Sequence, residues 1–537
     1  MEFNEKTVGN RTYKWAFATY PEVVMYDQAP AGKPCQHLIF GDYINLLPDK
    51  NQQEIIENGD WVYIRSRNEQ GWIRKNQLQK DRILEINFVD IGQGDGCHIV
   101  TPDDRQIVID AGLEDNMYRF ISWRYNLRKP THHLYDVTAV ITHPDADHYK
   151  GFQKLFDDPQ IHFSRVYHNG IVERANDPAS ALGSFTKIGG QKYLNDLMTD
   201  HDALCCLIND ENRRNSTSPA GKKSPKMYPT LLYNALENTS NQHVTFQMLS
   251  QKTEYVPGYG SDQPVSIKVL GPVVTDGCNG EPCLKYFGDP GKTKNGHSVV
   301  LLLQIGRLKV LLGGDLNIDA EDFLLNHYTG IPAETLRKQT ESESDPEKIQ
   351  AYRKEQERMV ELARKTFEVP IAKACHHGSH HFTTEFLRSV HAVATIISSG
   401  DNESYSHPRP DAIGAFGKYG RGERPLIFST ELARSHRESI KKPHEFKKSL
   451  NYYTKALQQE TDPGKKANLE KKLNQLIDTI ERTVAVYGMI NVRTDGKKVI
   501  ICQKLEKARS KGQKWDIHEL VFNPVLNDFE YKIKLNH

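Results

Sequence analysis

The sequence predicts a layered α/β protein with a small β domain in front of it and helical insertions within it. Three observations carry this reading. Short apolar runs such as 84–89, 107–109 and 137–141 are bounded by Gly, Pro and Asp, the pattern of strands buried on both faces. Residues 20–79 instead alternate brief β segments with turn residues, and two highly charged helical stretches, 333–367 and about 435–481, interrupt the later strands. At about 150 residues per domain, 537 residues leave room for three or four units.

Composition excludes several classes. Lys and Arg number 70 against 69 for Asp and Glu, a net charge of +1, so no global field draws the chain to nucleic acid or anionic lipid. With 24 Tyr and 20 Phe it is too aromatic for a disordered chain, although its mean hydropathy is −0.63. The longest apolar stretch, 299–303, is far short of the ~20 residues of a membrane span. The start, Met1-Glu2-Phe3-Asn4-Glu5-Lys6, lacks the basic and apolar regions of a secretory signal, so a cytoplasmic location without membrane contact is expected. The 8 cysteines contain no C-x-x-C pair, against a disulfide framework or zinc ribbon, though Cys278 and Cys283 could pair or bind metal.

In chain order, residues 1–80 form the small β domain. Strands are expected at 38–40, 43–46 and 61–65, with a turn over 68–71 before Trp72-Ile73-Arg74. Trp61, Gly71, Trp72 and Leu78 give this segment a resemblance to a bacterial SH3-like domain, which implies a small barrel that binds a protein partner. The main domain is expected over 83–430, with an insertion at about 172–262 carrying a few helices and a second strand block at 265–270, 299–303 and 308–312. The charged helices at 333–367 and 431–482 read as solvated faces, and could be dimerisation arms or lids. Residues 483–537 return to β, with a hairpin around Thr494-Asp495-Gly496-Lys497 completing the main domain.

The chemistry begins at Thr142-His143-Pro144-Asp145-Ala146-Asp147-His148, directly after a strand. Four metal-type donors in six residues are hard to explain as packing, because Asp and His are costly to bury unpaired. In an extended loop 143, 145 and 147 point one way, and His148 begins the next turn, a geometry for two adjacent cations. Further donors stand at strand ends in Asn295-Gly296-His297-Ser298, Gly313-Gly314-Asp315 and Cys375-His376-His377-Gly378-Ser379, where rigid elements can bring ligands together. Ser379 and Lys373, at the last of these ends, are expected to touch substrate. The loop Gly92-Gln93-Gly94-Asp95-Gly96 lies between strands, not before a helix, which argues against a phosphate loop.

This ordered set resembles the metallo-β-lactamase fold hydrolases, whose fold is an αββα sandwich. Val89-Asp90-Ile91-Gly92-Gln93-Gly94-Asp95-Gly96, Ile109-Asp110-Ala111-Gly112, the 142–148 loop with Gly151, Gly314-Asp315-Leu316, His376 to Ser379 and Ser406-His407-Pro408 look most like the soluble hydrolase domain of the DNA-uptake protein ComEC. The resemblance covers about 83–415. It implies two divalent metal ions: one on His143, Asp145 and His297, a second on Asp147, His148 and His377 or His376, with Asp315 bridging. Asp145, where many relatives have His, makes Mn²⁺ more plausible than in an all-histidine site, while Zn²⁺ is the commoner choice. Asp90, Asp95 and Asp110 are implied to support the ligands or form turns.

Two such cations imply hydrolysis, with Asp147 orienting the attacking water and His407, or His376 if it is no ligand, protonating the leaving group. ComEC's membrane channel has no counterpart here, so its transport role does not carry over. The first expectation is a phosphodiesterase or nuclease on DNA or RNA, which could serve as a bacterial defence effector. Its support in basic residues is modest: Arg119, Arg124, Arg128 and Lys129, then Lys418, Arg421 and Arg424. The alternatives are a hydrolase of cyclic nucleotides, peptides or acyl groups, and a non-catalytic interaction protein.

Overall fold

The computed structural model describes residues 3–8, 11–49, 54–175, 180–216, 226–238, 243–400, 405–431, 443–478, 489–505 and 508–533. Its body is two facing sheets. Ten strands run in the order Thr245–Met248, Ile161–His168, Leu134–Ile141, Gln106–Ala111, Gly96–Val100, Leu84–Val89, Met489–Thr494, Val499–Lys504, Trp515–Asn523, Asp528–Tyr531. Six form the other: Val265–Gly271, Val300–Ile305, Leu308–Leu312, Ile371–Lys373, Ala394–Ile397, Leu426–Ser429.

Side-chain alternation sorts each strand between two cores. Ile107 and Ile109 face the opposite sheet, where they join Leu301, Leu303, Val310 and Ile371 in one inter-sheet core. Val108 and Ala111 point outward to a helical layer holding Phe120, Phe152, Leu204 and Leu232. Across the molecule, Val300 and Leu302 point outward to a second helical layer holding Leu324, Met359, Ala363 and Phe386. The order is therefore helices, sheet, sheet, helices, a mixed α/β architecture in the layer order the sequence predicts.

The segments expected as insertions carry helices that pack. Helices His201–Ser216 and Met227–Glu237 lie in the first helical layer, and Thr245–Met248 extends the large sheet. The charged stretch 333–367 is two helices, and Pro346–Phe367 is solvated on one side only, since it buries Met359, Val360, Ala363 and Phe367. The later charged stretch breaks at 460–462 into Pro443–Gln459 and Pro463–Asp478, whose Phe446, Leu450, Tyr453 and Leu457 pack on Leu473 and Ile477. Parts of the expected insertions and of the strand starting at 485 fall on 217–225, 432–442 and 479–488, outside the described residues.

Among the described residues, the first eighty form a β unit of nine strands in one sheet around Ala16, Val23, Leu38, Ile44, Val62 and Ile73. The hairpin Trp61–Ser66 with Glu69–Arg74 turns at Arg67 and Asn68, earlier than the sequence suggests, and Gly71 is a strand residue opposite Ile64. This unit meets the body at a buried ion-pair network. Arg493 lies 2.7 Å from Glu85 and 3.8 Å from Asp42; Arg67 is 3.1 Å from Asp42; Arg82 is 3.3 Å from Glu85, which also pairs with Arg124. Burial opposes ionisation of Glu85, but Arg124 and Arg493 outweigh it and hold its carboxyl at about 2. All eight cysteines are free, and Cys278 is exposed while Cys283 is buried.

Candidate metal centre

The chemically loaded loops all leave strand ends at one edge of the sandwich. Leu134–Ile141 leads into His143–His148, Leu308–Leu312 into Asp315, Ile371–Lys373 into His376 and His377, and Ala394–Ile397 into Ser398. The Val299 N–H donates to the Thr142 carbonyl at 2.9 Å, tying the two sheets together at this edge. Close backbone contact fixes the loops. A Cβ on Gly94 (φ +104°) would fall 1.7 Å from the Asp147 carbonyl oxygen, and one on Gly314 (φ +56°) 2.6 Å from Ser298 Cβ.

Three buried histidines converge there, each with Nδ1 engaged. His148 Nδ1 lies 2.8 Å from Asp110 Oδ2, and His377 Nδ1 lies 3.1 Å from Asp95 Oδ1 and 3.2 Å from the Ser398 carbonyl. These oxygens only accept, so both Nδ1 atoms carry the proton. For His143 the logic runs through two hydroxyls, each 3.2 Å from its Nδ1. Thr142 Oγ1 already donates to Asp110 at 2.6 Å, and Ser298 Oγ to the Asn295 carbonyl at 2.8 Å, so both can only accept from the ring.

In the neutral rings the three Nε2 atoms are lone pairs, buried without a hydrogen-bond partner, as is Asp315 Oδ1. His148 Nε2 and His377 Nε2 each lie 3.2 Å from Asp315 Oδ2, and His377 Nε2 is 3.9 Å from Asp147 Oδ2. One donor atom from each member of His143, His148 and Asp315, and of Asp147, His148 and His377, lies within 4.8 Å of the others. Burial opposes charge on these rings, but without metal Asp315 and Asp110 hold His148 well above its usual range. Asp315 and Asp95 likewise hold His377 up at about 10, and the two imidazoles depress Asp315 in turn. Among the described residues, carboxylates at 95, 110, 147 and 315 face one fixed cation, Lys373, which pairs with Asp95. Orphaned lone pairs beside surplus carboxylate are what a divalent cation satisfies, so the residues fit one.

His376 and His377 both adopt left-handed backbone, φ +49° and +54°, at a cost of roughly 1–3 kcal/mol each. That backbone turns consecutive rings apart. His377 enters the centre, while His376 Nε2 stays 4.0 Å from Asp315 and its ring lies 5.8 Å from that of His407. Burial lowers His376 to about 4, leaving it neutral near pH 7. Asp147, with its side chain 20% exposed, is held by Gln93 Nε2 at 3.2 Å.

Several predicted site residues lie elsewhere. His297 turns out of the centre: its Nε2 lies 2.7 Å from the Lys285 carbonyl and its ring stacks on Phe287 at 4.7 Å. Burial lowers it to about 4. Its neighbour Ser298 reaches the site instead. Asp145 lies 3.7 Å from His143 Nε2 but pairs with Lys294, and His143 and Lys294 overcome burial to depress its carboxyl. Lys373 is buried on Asp95 and the Gly314 carbonyl, and the buried Ser379 holds His381 at 3.2 Å, so neither is open to substrate. Asp90 forms a turn, accepting from the Gly92 N–H at 3.1 Å. Of the basic residues, Arg119 pairs with Asp115, Arg124 with Glu85, and Arg421 with Asp528. Ser298, Gln93, Ser398 and Lys294 were not singled out by the sequence reading, although the first two stand inside motifs that were.

No family model matches the chain, and no curated protein matches it. Among solved structures it is similar to Tm1679, titled a metal-dependent hydrolase of the beta-lactamase superfamily, at 11% identity over 64% of this chain and 95% of that one, with a TM-score of 0.27. A likeness that low carries no chemistry across, and the donor geometry stands by itself. Among the described residues no helix is long and apolar enough to cross a membrane.

Proposed function

We propose that the protein is a metal-dependent hydrolase of phosphodiester bonds in a nucleic acid or nucleotide. The observation that carries the metal reading is the convergence of His143, His148 and His377, their Nε2 atoms buried and unpartnered, around Asp315. His148, His377, Asp315 and Asp147 would hold a divalent cation, Zn²⁺ or Mn²⁺. When bound, such an ion supplies Lewis-acid activation of water and neutralises charge on a phosphoryl oxygen. Asp110, Asp95 and Ser298 fix the imidazoles, so little reorganisation accompanies binding. Asp147, partly exposed and steered by Gln93, takes the proton from the attacking water. His407, whose ring lies 5.8 Å from that of His376 at the rim, protonates the departing oxygen, while the neutral His376 lines the site.

The phosphodiester assignment rests on the motif order shared with ComEC-like domains. Arg119, Arg124 and Arg421, held by carboxylates, are not offered to a substrate. The N-terminal β unit, by its likeness to SH3-like domains, is proposed to dock a protein partner. The test is metal content together with metal-dependent cleavage of labelled single- and double-stranded DNA, RNA and a generic phosphodiester, with Asp147→Ala and His148→Ala beside wild type. Cleavage that requires metal and disappears in both variants is expected. Bound metal without cleavage of any phosphodiester would move the substrate class to peptide or acyl bonds.

A further inference from the structure

The residues expected to hold a first metal do not assemble into a site. Lys294 engages Asp145 instead: its ammonium pairs with Asp145, lies 3.2 Å from Glu173 and 3.5 Å from the Pro144 carbonyl, and its side chain is only 14% exposed. With its amide in the orientation that satisfies both ends, Asn295 also donates to Asp145, at 2.7 Å. His297, on the same turn, is committed to the Lys285 carbonyl and Phe287. Of the implied trio His143 has a buried, unpartnered Nε2, and its ring belongs to the cluster with His148 and Asp315.

We infer that Lys294 is a built-in cation that takes the place of one metal, so that the centre binds a single divalent ion. A buried carboxylate needs a positive partner, and an ammonium held by Asp145 and Glu173 supplies it without metal. A divalent ion entering beside it would face like charge and would have to break both pairs. The inference rests on the proposed metal-dependent function but concerns only the number of ions and the residue that sets it.

The test is equilibrium dialysis against Mn²⁺ and Zn²⁺, with bound metal counted by mass spectrometry and folding followed by circular dichroism. Wild type is expected to hold about one ion per chain. Lys294→Met, which leaves Asp145 and Glu173 facing each other, is expected to bind a second, weaker ion, whereas Lys294→Arg keeps the charge and stays near one. His297→Ala is expected to leave the count unchanged. Two ions in wild type, no additional ion in a folded Lys294→Met protein, or loss of metal from His297→Ala would each overturn the inference. Wild type that binds no metal would remove the proposed function itself, an outcome distinct from a wrong count.

Discussion

Two buried charge clusters lie in the same body, and they are built to opposite plans. Around Glu85 and Asp42 the cations are guanidiniums of Arg67, Arg82, Arg124 and Arg493, whose charge is permanent. At the histidine centre the carboxylates outnumber fixed cations, and the remaining positive charge must come from protons on His148 and His377 or from a bound ion. The first plan locks a joint; the second leaves a demand that can be met in more than one way. Both are deeply buried, so burial does not separate structure from function here, whereas the kind of cation does.

The largest expected effect breaks the locked cluster alone. Glu85→Gln leaves several guanidiniums without their carboxylate and should cost about 3–5 kcal/mol in chemical denaturation while bound metal per folded chain stays at the wild-type value. Asp315→Asn should do the reverse, weakening metal affinity about a hundredfold or more by dialysis. Asp110→Asn keeps the hydrogen bond's shape but removes the charge behind His148, and should cost about 10–100-fold in metal affinity, measured in the same way.

The smallest effect separates the two plans by pH. His377 is raised from 6.5 to about 10 in the metal-free protein, so its stabilisation is complete below pH 6.5 and fades as pH rises through about 10. Glu85 is lowered from 4.5 to about 2, so its stabilisation is complete above pH 4.5 and fades as pH falls through about 2. Melting temperatures of the metal-free protein should therefore fall on the alkaline side in wild type and fall less in His377→Gln. Excess metal should flatten the alkaline limb, because an ion displaces the proton. An alkaline limb identical in the two proteins would mean that His377 holds no such proton.

Much of the fold was legible because strands buried on both faces carry short unbroken apolar runs, as at 107–109 and 299–303. The loop at 142–148 was legible because four donors in one turn have no cheap packing explanation. His297 was misplaced for a physical reason: what orients it is the Lys285 carbonyl and the Phe287 ring, brought together by a strand and helix whose packing no spacing encodes. Lys373 looked like a substrate contact because its counter-charge, Asp95, sits 278 positions away. The buried side of Pro346–Phe367 was missed because Lys and Glu on one side of a helix conceal the apolar residues on the other.

The place of Met489–Thr494 in the large sheet has a consequence for how the chain reaches this state. It pairs along the whole of Leu84–Val89, a central strand made roughly 400 residues earlier, so the middle of the sheet closes only after the intervening chain has left the ribosome. Until then Leu84–Val89 presents an open apolar edge. Synthesis, not only the finished architecture, therefore sets a period in which the nascent chain needs protection from pairing with the wrong strand.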